Sequence, residues 1–148
     1  MSRQKQVESC RGVYVLIIRV SENVAVRVGA LGELAFNKGL YAYVGSAQNG
    51  LEQRIKRHLR KDKRKFWHVD YLLESDAASI VQVFCKETDK AGECQVAAEI
   101  SKRADATSGF GCSDCRCRSH LFRVADFEFL AESLQVLKIC RAEFGKLF

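Results

Sequence analysis

The chain has 148 residues, which is the size of a single domain. Hydrophobic residues make up 47% and charged residues 28%, a composition typical of a globular protein. The absence of proline excludes collagen-like and proline-rich sequences. Apolar stretches such as Val13–Ile18 are far shorter than the ~20 residues of a membrane span. The polar start MSRQKQVESCR lacks the apolar core of a secretory signal. We therefore expect a cytoplasmic protein with no membrane-spanning segment.

Positive charge is concentrated in one short segment. The net charge is +6, yet residues 54–65 alone carry +7 and the rest of the chain sums to −1. This segment contains one acid, Asp62, and the basic residues Arg54, Lys56, Arg57, Arg60, Lys61, Lys63, Arg64 and Lys65. A nearly neutral body with one basic segment is typical of proteins that bind a phosphate backbone. The alternatives are a solvated helix face and a nuclear-import-like tract.

Cysteine content sets a second constraint. The seven cysteines are Cys10, Cys85, Cys94, Cys112, Cys115, Cys117 and Cys140. An odd number with uneven spacing argues against a disulfide framework, so we expect a reducing compartment. In that setting the cluster of Cys112, Cys115 and Cys117 indicates metal binding rather than bridges.

The first third of the chain predicts three strands. Gly12–Val20 is rich in β-branched residues and has the continuous apolar pattern of a strand buried on both faces. Val24–Val28 alternates and predicts a second strand, which forms a hairpin with the first. A stretch punctuated by glycines, residues 29–39, precedes a third strand at Leu40–Val44. This third strand is expected to end at Gly45, where the chain turns.

A helix is predicted from about Gly50 to Lys61. Asn49 is the expected N-cap, with Glu52 as its capping-box partner three residues later. The apolar stripe that faces the core consists of Leu51, Ile55 and Leu59. Arg54 and His58 are also four residues apart, so they project together from a neighbouring face.

Further elements follow in the second half. Phe66–Leu73 predicts a buried element, and its pattern leaves helix and short strand open. Ile80–Cys85 alternates as a strand, and Glu93–Ala104 predicts a second long helix. A loop rich in glycine and cysteine covers Ser108–Ser119, and His120–Val124 predicts a last strand.

The C-terminal region predicts an amphipathic helix from Asp126 to the end of the chain. Its apolar positions are Phe127, Leu130, Leu134, Leu137 and Phe144. This extension, residues 125–148, packs on the domain formed by residues 1–124 or contacts a partner, including a second copy of the chain. The predicted fold class is α+β, with a small mixed or antiparallel central sheet flanked by helices.

Three short motifs occur in a fixed order. Gly12-Val13-Tyr14 begins one strand, Tyr43-Val44-Gly45 ends another, and the following helix carries Arg-x-x-x-His at Arg54 and His58. This arrangement resembles the GIY-YIG nuclease superfamily. Three further segments are similar to its Uri-type branch of stand-alone predicted endonucleases, namely KFWHVDYLL (65–73), GECQVAAEI (92–100) and SDCRCRSHLFRV (113–124). The resemblance covers residues 12–124.

The resemblance implies a metal-dependent endonuclease that hydrolyses DNA phosphodiester bonds. Such a reaction needs an activated water, neutralised phosphoryl oxygens and help for the leaving oxygen. In the family, a glutamate on a later helix binds one Mg²⁺ or Mn²⁺. Glu93 is the expected ligand here, and Glu99 is the competing choice on another face of the same helix. A structure-specific role in DNA repair is implied only by the resemblance.

The remaining catalytic roles follow from the motifs. Arg54 provides a planar, permanently charged group that clamps the phosphate. By resemblance, Tyr14 is the general base or positions the water, and Tyr43 is a supporting hydroxyl. Because a phenol has a pKa near ~10, Tyr14 needs nearby cations such as Arg54, Lys56 and the metal to act as a base. His58 accepts or relays that proton.

His68 is a further expected catalytic residue, because the family often has a histidine or tyrosine at this point. The alternative is a structural histidine that hydrogen-bonds Asp70 or the backbone.

The cysteine-rich loop carries a candidate zinc site. Cys115, Cys117 and His120 are spaced as metal ligands, and Cys94 or Cys112 would be the fourth. Such a site would be structural. The alternative is a set of buried thiols with a hydrogen-bonded histidine.

The basic segment supplies the expected contacts to the DNA backbone. These residues are Lys56, Arg57, Arg60, Lys61, Lys63, Arg64 and Lys65. Two alternatives to a nuclease remain open. One is a non-catalytic nucleic-acid-binding module of the same fold, and the other is an interaction subunit that docks through residues 126–148.

Overall fold

The computed structural model of the chain describes residues 12–47, 50–60, 63–65, 67–89, 91–111 and 117–137. Its strands are β1 (Gly12–Val20), β2 (Val24–Arg27), β3 (Glu33–Phe36), β4 (Gly39–Ala47), β5 (Ala78–Glu87), β6 (Asp105–Ala106), β7 (Leu121–Val124) and β8 (Gln135–Val136). Its α-helices are α1 (Leu51–Leu59), α2 (His68–Glu74) and α3 (Ala91–Ser101). The predicted α+β class is confirmed.

The main sheet is built around β1. Within the described residues the strand order is β6-β7-β4-β1-β5-β8, and each of these pairings is antiparallel. Helices cover both faces, which is why β1 is a continuous apolar run in which Arg19 alone is exposed. One face packs under α1, α2 and the small β2–β3 sheet, and the other packs against α3. Tyr14 and Tyr43 lie on the face covered by α1.

The predicted hairpin between the first two strands is wrong. β2 pairs with β3 in a separate two-stranded sheet, while β4 and β5 occupy the two edges of β1. The chain can fold back sharply within residues 29–39 because Gly29 and Gly32 adopt positive φ values of 46° and 79°. β3 therefore lies within the glycine-punctuated stretch, for which the sequence predicted no strand. β4 also continues past the expected turn at Gly45, as far as Ala47.

Helix α1 is shorter than predicted and begins differently. Gly50 takes the N-cap position in the left-handed region, with φ of +64°, and no side chain caps the helix there. Asn49, the expected cap, and Lys61, the expected last residue, lie outside the described residues. The apolar stripe is confirmed, because Leu51, Ile55 and Leu59 are all buried.

The middle of the chain follows the sequence pattern closely. The element left open at residues 66–73 is the helix α2. β5, α3 and β7 correspond to the predicted strand, helix and strand, with boundaries shifted by a few residues. Val96, Ala97 and Ile100 form the buried side of α3. No helix in the described ranges is long and apolar enough to cross a membrane.

The predicted C-terminal amphipathic helix is wrong over residues 126–137. A short 3-10 helix at Glu128–Glu132 is followed by β8, which pairs with the edge of β5. This pairing satisfies backbone groups that β5 would otherwise expose at its edge, and Leu137 N–H adds a bond of 2.8 Å to Val83. Leu130 and Leu134 are buried in the core beneath α3. The described part of the extension thus packs on its own domain, and Phe144 lies outside the described residues.

Candidate active site

The strand register brings the two motif tyrosines together. Tyr14 on β1 pairs across the sheet with Gly45 on β4, and Tyr43 pairs with Leu16. A Cβ atom at position 45 would lie 2.5 Å from the Tyr14 hydroxyl, so only glycine leaves room for that oxygen. Both tyrosine rings face His58 of α1, at centroid distances of 5.4 and 6.2 Å. The glycine of the second motif therefore makes space for the tyrosine of the first.

A short hydrogen bond joins Tyr14 to His58. The Tyr14 hydroxyl lies 2.6 Å from His58 Nε2, and both side chains are buried. Burial lowers the pKa of His58 from 6.5 to about 3, so the imidazole is neutral at neutral pH. Because burial also raises the Tyr14 pKa, the hydroxyl stays protonated and donates a hydrogen bond to Nε2. His58 then carries its own proton on Nδ1, which is 4.0 Å from Asp70 Oδ1.

In the protein without a bound metal, the charges around Tyr14 do not outweigh the effect of burial on its pKa. Arg54 does lower the Tyr14 pKa through its charge and a hydrogen bond, but desolvation is the larger effect and the pKa is raised. Lys56 forms an ion pair of 3.8 Å with Glu52, one turn away on α1. Burial raises the pKa of Tyr43 as well.

Arg54 is held in a fixed position next to Tyr14. Its Nη1 donates a bond of 2.9 Å to the backbone oxygen of Ser46, at the end of β4. Its guanidinium lies over the Trp67 ring at 4.5 Å. The side chain is half-buried, and a guanidinium has five N–H donors, so the group is both fixed and able to bind an anion.

Glu93 reaches the same end of the sheet from the first turn of α3. Its Oε1 accepts a bond of 2.5 Å from Ser46 Oγ, and its Oε2 lies 2.7 Å from His120 Nδ1. The charge of Glu93 contributes to raising the pKa of Tyr14. Each carboxylate oxygen has a second lone pair, and the side chain is 16% exposed, so Glu93 fits a Mg²⁺ or Mn²⁺ ion, which prefers oxygen ligands.

Glu99, the competing ligand, lies elsewhere. It pairs with Lys102 at 3.0 Å, and both side chains are about 70% exposed. The structure therefore places Glu93, and not Glu99, beside Arg54 and Tyr14.

His68 makes a structural contact. Its Nδ1 accepts a bond of 2.8 Å from the backbone N–H of Gly111, and its ring packs against Phe110 at 5.5 Å. Asp70 and the backbone were the two hydrogen-bond partners predicted for a structural His68. The partner of Nδ1 is the backbone. Partial burial lowers the His68 pKa, which keeps Nδ1 unprotonated as this bond requires.

Asp70 is a site residue that sequence reasoning missed. It is 1% exposed and accepts two bonds of 3.0 Å from Arg57, together with one of 2.9 Å from Trp67 N–H. Its negative charge also favours the protonated form of His58. A lone acid inside the apolar run FWHVDYLL was the available signal, because a charge buried there needs a partner.

The basic segment serves partly as internal structure. Arg57 was expected to contact DNA. Its guanidinium donates hydrogen bonds to Asp70 and to the backbone oxygen of Arg64. Lys63 binds the carbonyls of His58 and Arg60 at the C-terminal end of α1, where a cation is favourable. Lys65 pairs with Glu74 at 2.9 Å. Arg60 and Arg64 are exposed, and Lys61 lies outside the described residues.

A second cluster adjoins Glu93. The ligand atoms of Cys94, Cys117 and His120 lie within 4.8 Å of one another, so this group could hold a metal ion. Cys94 and His120 were expected together with Cys117 from the sequence. Two other expected ligands, Cys112 and Cys115, lie outside the described residues.

Fold and site together define an α+β domain with a candidate catalytic centre at one end of an antiparallel sheet. The chain belongs to the family described as Domain of unknown function DUF123, which matches residues 13–141. The match continues through β8, beyond the last strand covered by the sequence resemblance. No curated protein and no solved structure matches the chain.

Proposed function

We propose that this protein is a metal-dependent endonuclease that hydrolyses DNA phosphodiester bonds, as its resemblance to the GIY-YIG superfamily implies. The observation that carries the proposal is the convergence of four side chains from three elements, β1, α1 and α3, at one end of the sheet. These are Tyr14, Arg54, His58 and Glu93, and Tyr43 packs beside them. An arginine, a carboxylate and a hydrogen-bonded phenol–imidazole pair are the groups that phosphodiester hydrolysis requires.

Tyr14 and His58 together form a proton relay. A water molecule gives its proton to the Tyr14 oxygen while Tyr14 passes its own proton to His58 Nε2. The water is thereby activated, and no buried tyrosinate forms. The imidazolium that results faces the negative charge of Asp70. Asp70 favours the protonated form of His58. A bound phosphodiester also raises the His58 pKa, because its negative charge offsets the positive charges of Arg54 and Lys63, which lower it. His58 is the final proton acceptor in this scheme.

Arg54 and Glu93 act on the phosphate. Arg54 neutralises charge on the phosphoryl oxygens from a position already fixed by Ser46 and Trp67. Glu93 would hold the Mg²⁺ or Mn²⁺ ion, which supplies charge neutralisation and stabilises the leaving oxygen when it is bound. Ser46 orients the carboxylate from one side.

The exposed part of the basic segment provides backbone contacts. Arg60 and Arg64 are exposed, and the side chains of Lys56 and Lys65 are 40% and 35% exposed despite their ion pairs. We leave Arg57 out of this surface because Asp70 neutralises its charge. Binding of this kind is independent of sequence and weakens as the salt concentration rises.

A non-catalytic nucleic-acid-binding module is the second candidate. The raised pKa of Tyr14 and the pKa of about 3 at His58 favour it, because neither group is a strong base without a bound substrate. The interaction-subunit hypothesis has lost its main support, since residues 126–137 do not form the expected docking helix.

Two further features complete the proposal. We propose that the cluster of Cys94, Cys117 and His120 binds a structural zinc ion, because two thiolates and an imidazole suit that metal. A reducing, cytoplasmic location and a role in DNA repair are also proposed. Thiol groups at Cys85, Cys94 and Cys117 support the reducing compartment.

The test is a cleavage assay on labelled duplex, flap, branched and single-stranded DNA, and on RNA, with Mg²⁺, Mn²⁺ or EDTA. Arg54→Ala should lower cleavage by about 10²–10³-fold while most binding remains, because the clamp acts on charge that develops during the reaction. Arg27→Ala is the matched control, since Arg27 is exposed on β2 away from the site.

Metal-dependent products that disappear in Arg54→Ala and persist in Arg27→Ala would support the nuclease. Binding without cleavage on every substrate would establish the binding module instead. Full activity in Arg54→Ala would remove Arg54 from the mechanism and contradict the proposal.

A further inference from the structure

Glu93 lies between two sites. On one side it meets Ser46, next to the backbone oxygen that binds Arg54. On the other side its Oε2 lies 2.7 Å from Nδ1 of His120, which belongs to the cysteine–histidine cluster. His120 is 1% exposed, so this contact takes place away from solvent. The two sites therefore share one carboxylate.

The contact determines which nitrogen of His120 can bind a metal. A neutral imidazole has one N–H donor and one lone pair. Because Nδ1 faces an acceptor oxygen, the proton belongs on Nδ1 and the lone pair on Nε2. The 2.7 Å contact favours this tautomer, because a lone pair on Nδ1 would be repelled by the carboxylate oxygen. When such a carboxylate accepts a hydrogen bond from the ring, it also fixes the ring orientation and makes the other nitrogen a better ligand.

The ligand atoms are nearly close enough for zinc already. Zn–S bonds of ~2.3 Å in a tetrahedral site place two ligand sulfurs roughly 3.8 Å apart. Cys94, Cys117 and His120 have their ligand atoms within 4.8 Å of one another, so reaching zinc-binding distances shortens these separations by roughly 1 Å. Two thiolates and an imidazole are borderline-soft ligands that suit Zn²⁺ and not Mg²⁺, which prefers oxygen.

We propose that a zinc centre at Cys94, Cys117 and His120 positions Glu93, so that metal loading at this centre sets the geometry of the neighbouring phosphodiester site. Glu93 is then a positioning residue for the zinc ligand His120 as well as the carboxylate of the candidate active site. The part of this inference that concerns cleavage rests on the proposed nuclease function. The part that concerns zinc does not.

The first experiment measures zinc binding directly. The full chain is stripped of metal under reducing conditions and titrated with Zn²⁺ against a chromophoric chelator. We expect one zinc ion per chain in the wild type and loss of this binding in Cys117→Ser. Cys85→Ser is the matched control, because Cys85 lies on β5 outside the cluster and the variant should bind zinc normally. Absence of zinc binding in the wild type, or equal binding in Cys117→Ser, would overturn the site.

The second experiment tests the link through Glu93. Glu93→Gln should weaken zinc binding by about 10- to 100-fold, which is the usual effect of removing a partner that orients a metal-bound histidine. Glu99→Gln, on the exposed face of the same helix, should bind zinc as the wild type does. Equal zinc affinity in Glu93→Gln and the wild type would refute the coupling.

Two further readouts keep the inference testable. Circular dichroism checks that each variant is folded. If Cys117→Ser does not fold, Co²⁺-loaded wild-type protein still decides the matter, because it shows a thiolate-to-metal absorption band only when cysteine sulfur is bound.

Cleavage by zinc-free and zinc-loaded protein is then compared at constant Mg²⁺. Zinc binding with no cleavage in either form would contradict the proposed function while leaving the zinc centre intact, whereas equal cleavage in both forms would refute the positioning role.

Discussion

Acid should destabilise this protein through His58. The imidazole is 2% exposed, and burial lowers its pKa from 6.5 to about 3. The folded protein therefore keeps His58 neutral at pH values where the unfolded chain would protonate it. Above pH ~6.5 both states are neutral, and His58 does not change the free energy of unfolding. Below that value the unfolded state binds more protons, so stability falls as the pH drops toward the folded-state pKa.

The size of this effect follows from the two pKa values. One pKa unit corresponds to ~1.4 kcal/mol of difference between the protonation states. At about pH 5, some one and a half units below the unfolded-state pKa, His58 should reduce the free energy of unfolding by about 2 kcal/mol. His68 acts in the same direction, because partial burial lowers its pKa too. The loss is large for a domain whose total stability is of order ~10 kcal/mol.

Urea unfolding followed by circular dichroism, at about pH 7 and about pH 5, measures the effect. The comparison uses wild type, His58→Gln and His68→Gln. Glutamine can still hydrogen-bond Tyr14 but does not titrate, so His58→Gln should lose about 2 kcal/mol less than the wild type between the two pH values. His68→Gln should retain the larger part of the wild-type loss. Equal losses in wild type and His58→Gln would show that burial does not hold the imidazole neutral at about pH 5 and would refute this reasoning.

Three further changes probe the site and the basic segment. Gly45→Ala places a methyl group against the Tyr14 hydroxyl. It should therefore lower the free energy of unfolding, measured by thermal unfolding, by about 1–3 kcal/mol and abolish cleavage. An unchanged Tm would show that the tyrosine has room to move. Asp70→Asn breaks a partly exposed ion pair and should lower the unfolding free energy in urea by about 1–3 kcal/mol, less than a fully buried pair would lose. The double variant Arg60→Ala/Arg64→Ala should reduce the salt dependence of DNA binding by about 0.9 in slope for each phosphate that is no longer neutralised. An unchanged slope would exclude both arginines from the interface.

The basic segment illustrates how charge in a sequence can mislead. Eight cations in twelve residues indicated a phosphate-binding surface, yet several of them satisfy needs of the fold itself. Arg57 neutralises the buried Asp70, and Lys63 binds carbonyls at the end of α1. A helix end and a buried acid both require positive charge, and neither requirement is visible in the composition. The surface that remains for the proposed contact with DNA is smaller than the net charge suggests.

The elements predicted correctly were those whose pattern is local. β1 was recognisable because nine consecutive residues are almost all apolar or β-branched, and α1 because Leu51, Ile55 and Leu59 recur at helical spacing. The failures involve partners distant in sequence. β2 pairs with β3 because β1 has both edges occupied by strands that come later in the chain. Residues 135–136 form a strand because the edge of β5 is available to them, although the sequence around them has helical periodicity.

The same division holds for the candidate site. The resemblance of three short motifs to the GIY-YIG superfamily selected Tyr14, Tyr43, Arg54 and His58 as candidates, and the structure brings these side chains close together. Only the tertiary structure distinguished Glu93 from Glu99, because both lie on the same helix. Glu93 contacts Ser46 and His120, whereas Glu99 is exposed and pairs with Lys102. Folding also decided the protonation states, because desolvation depends on how completely other elements cover a group. The sequence alone thus determined which chemical groups are present, and the packing of distant elements decided which of them meet and in what charge state.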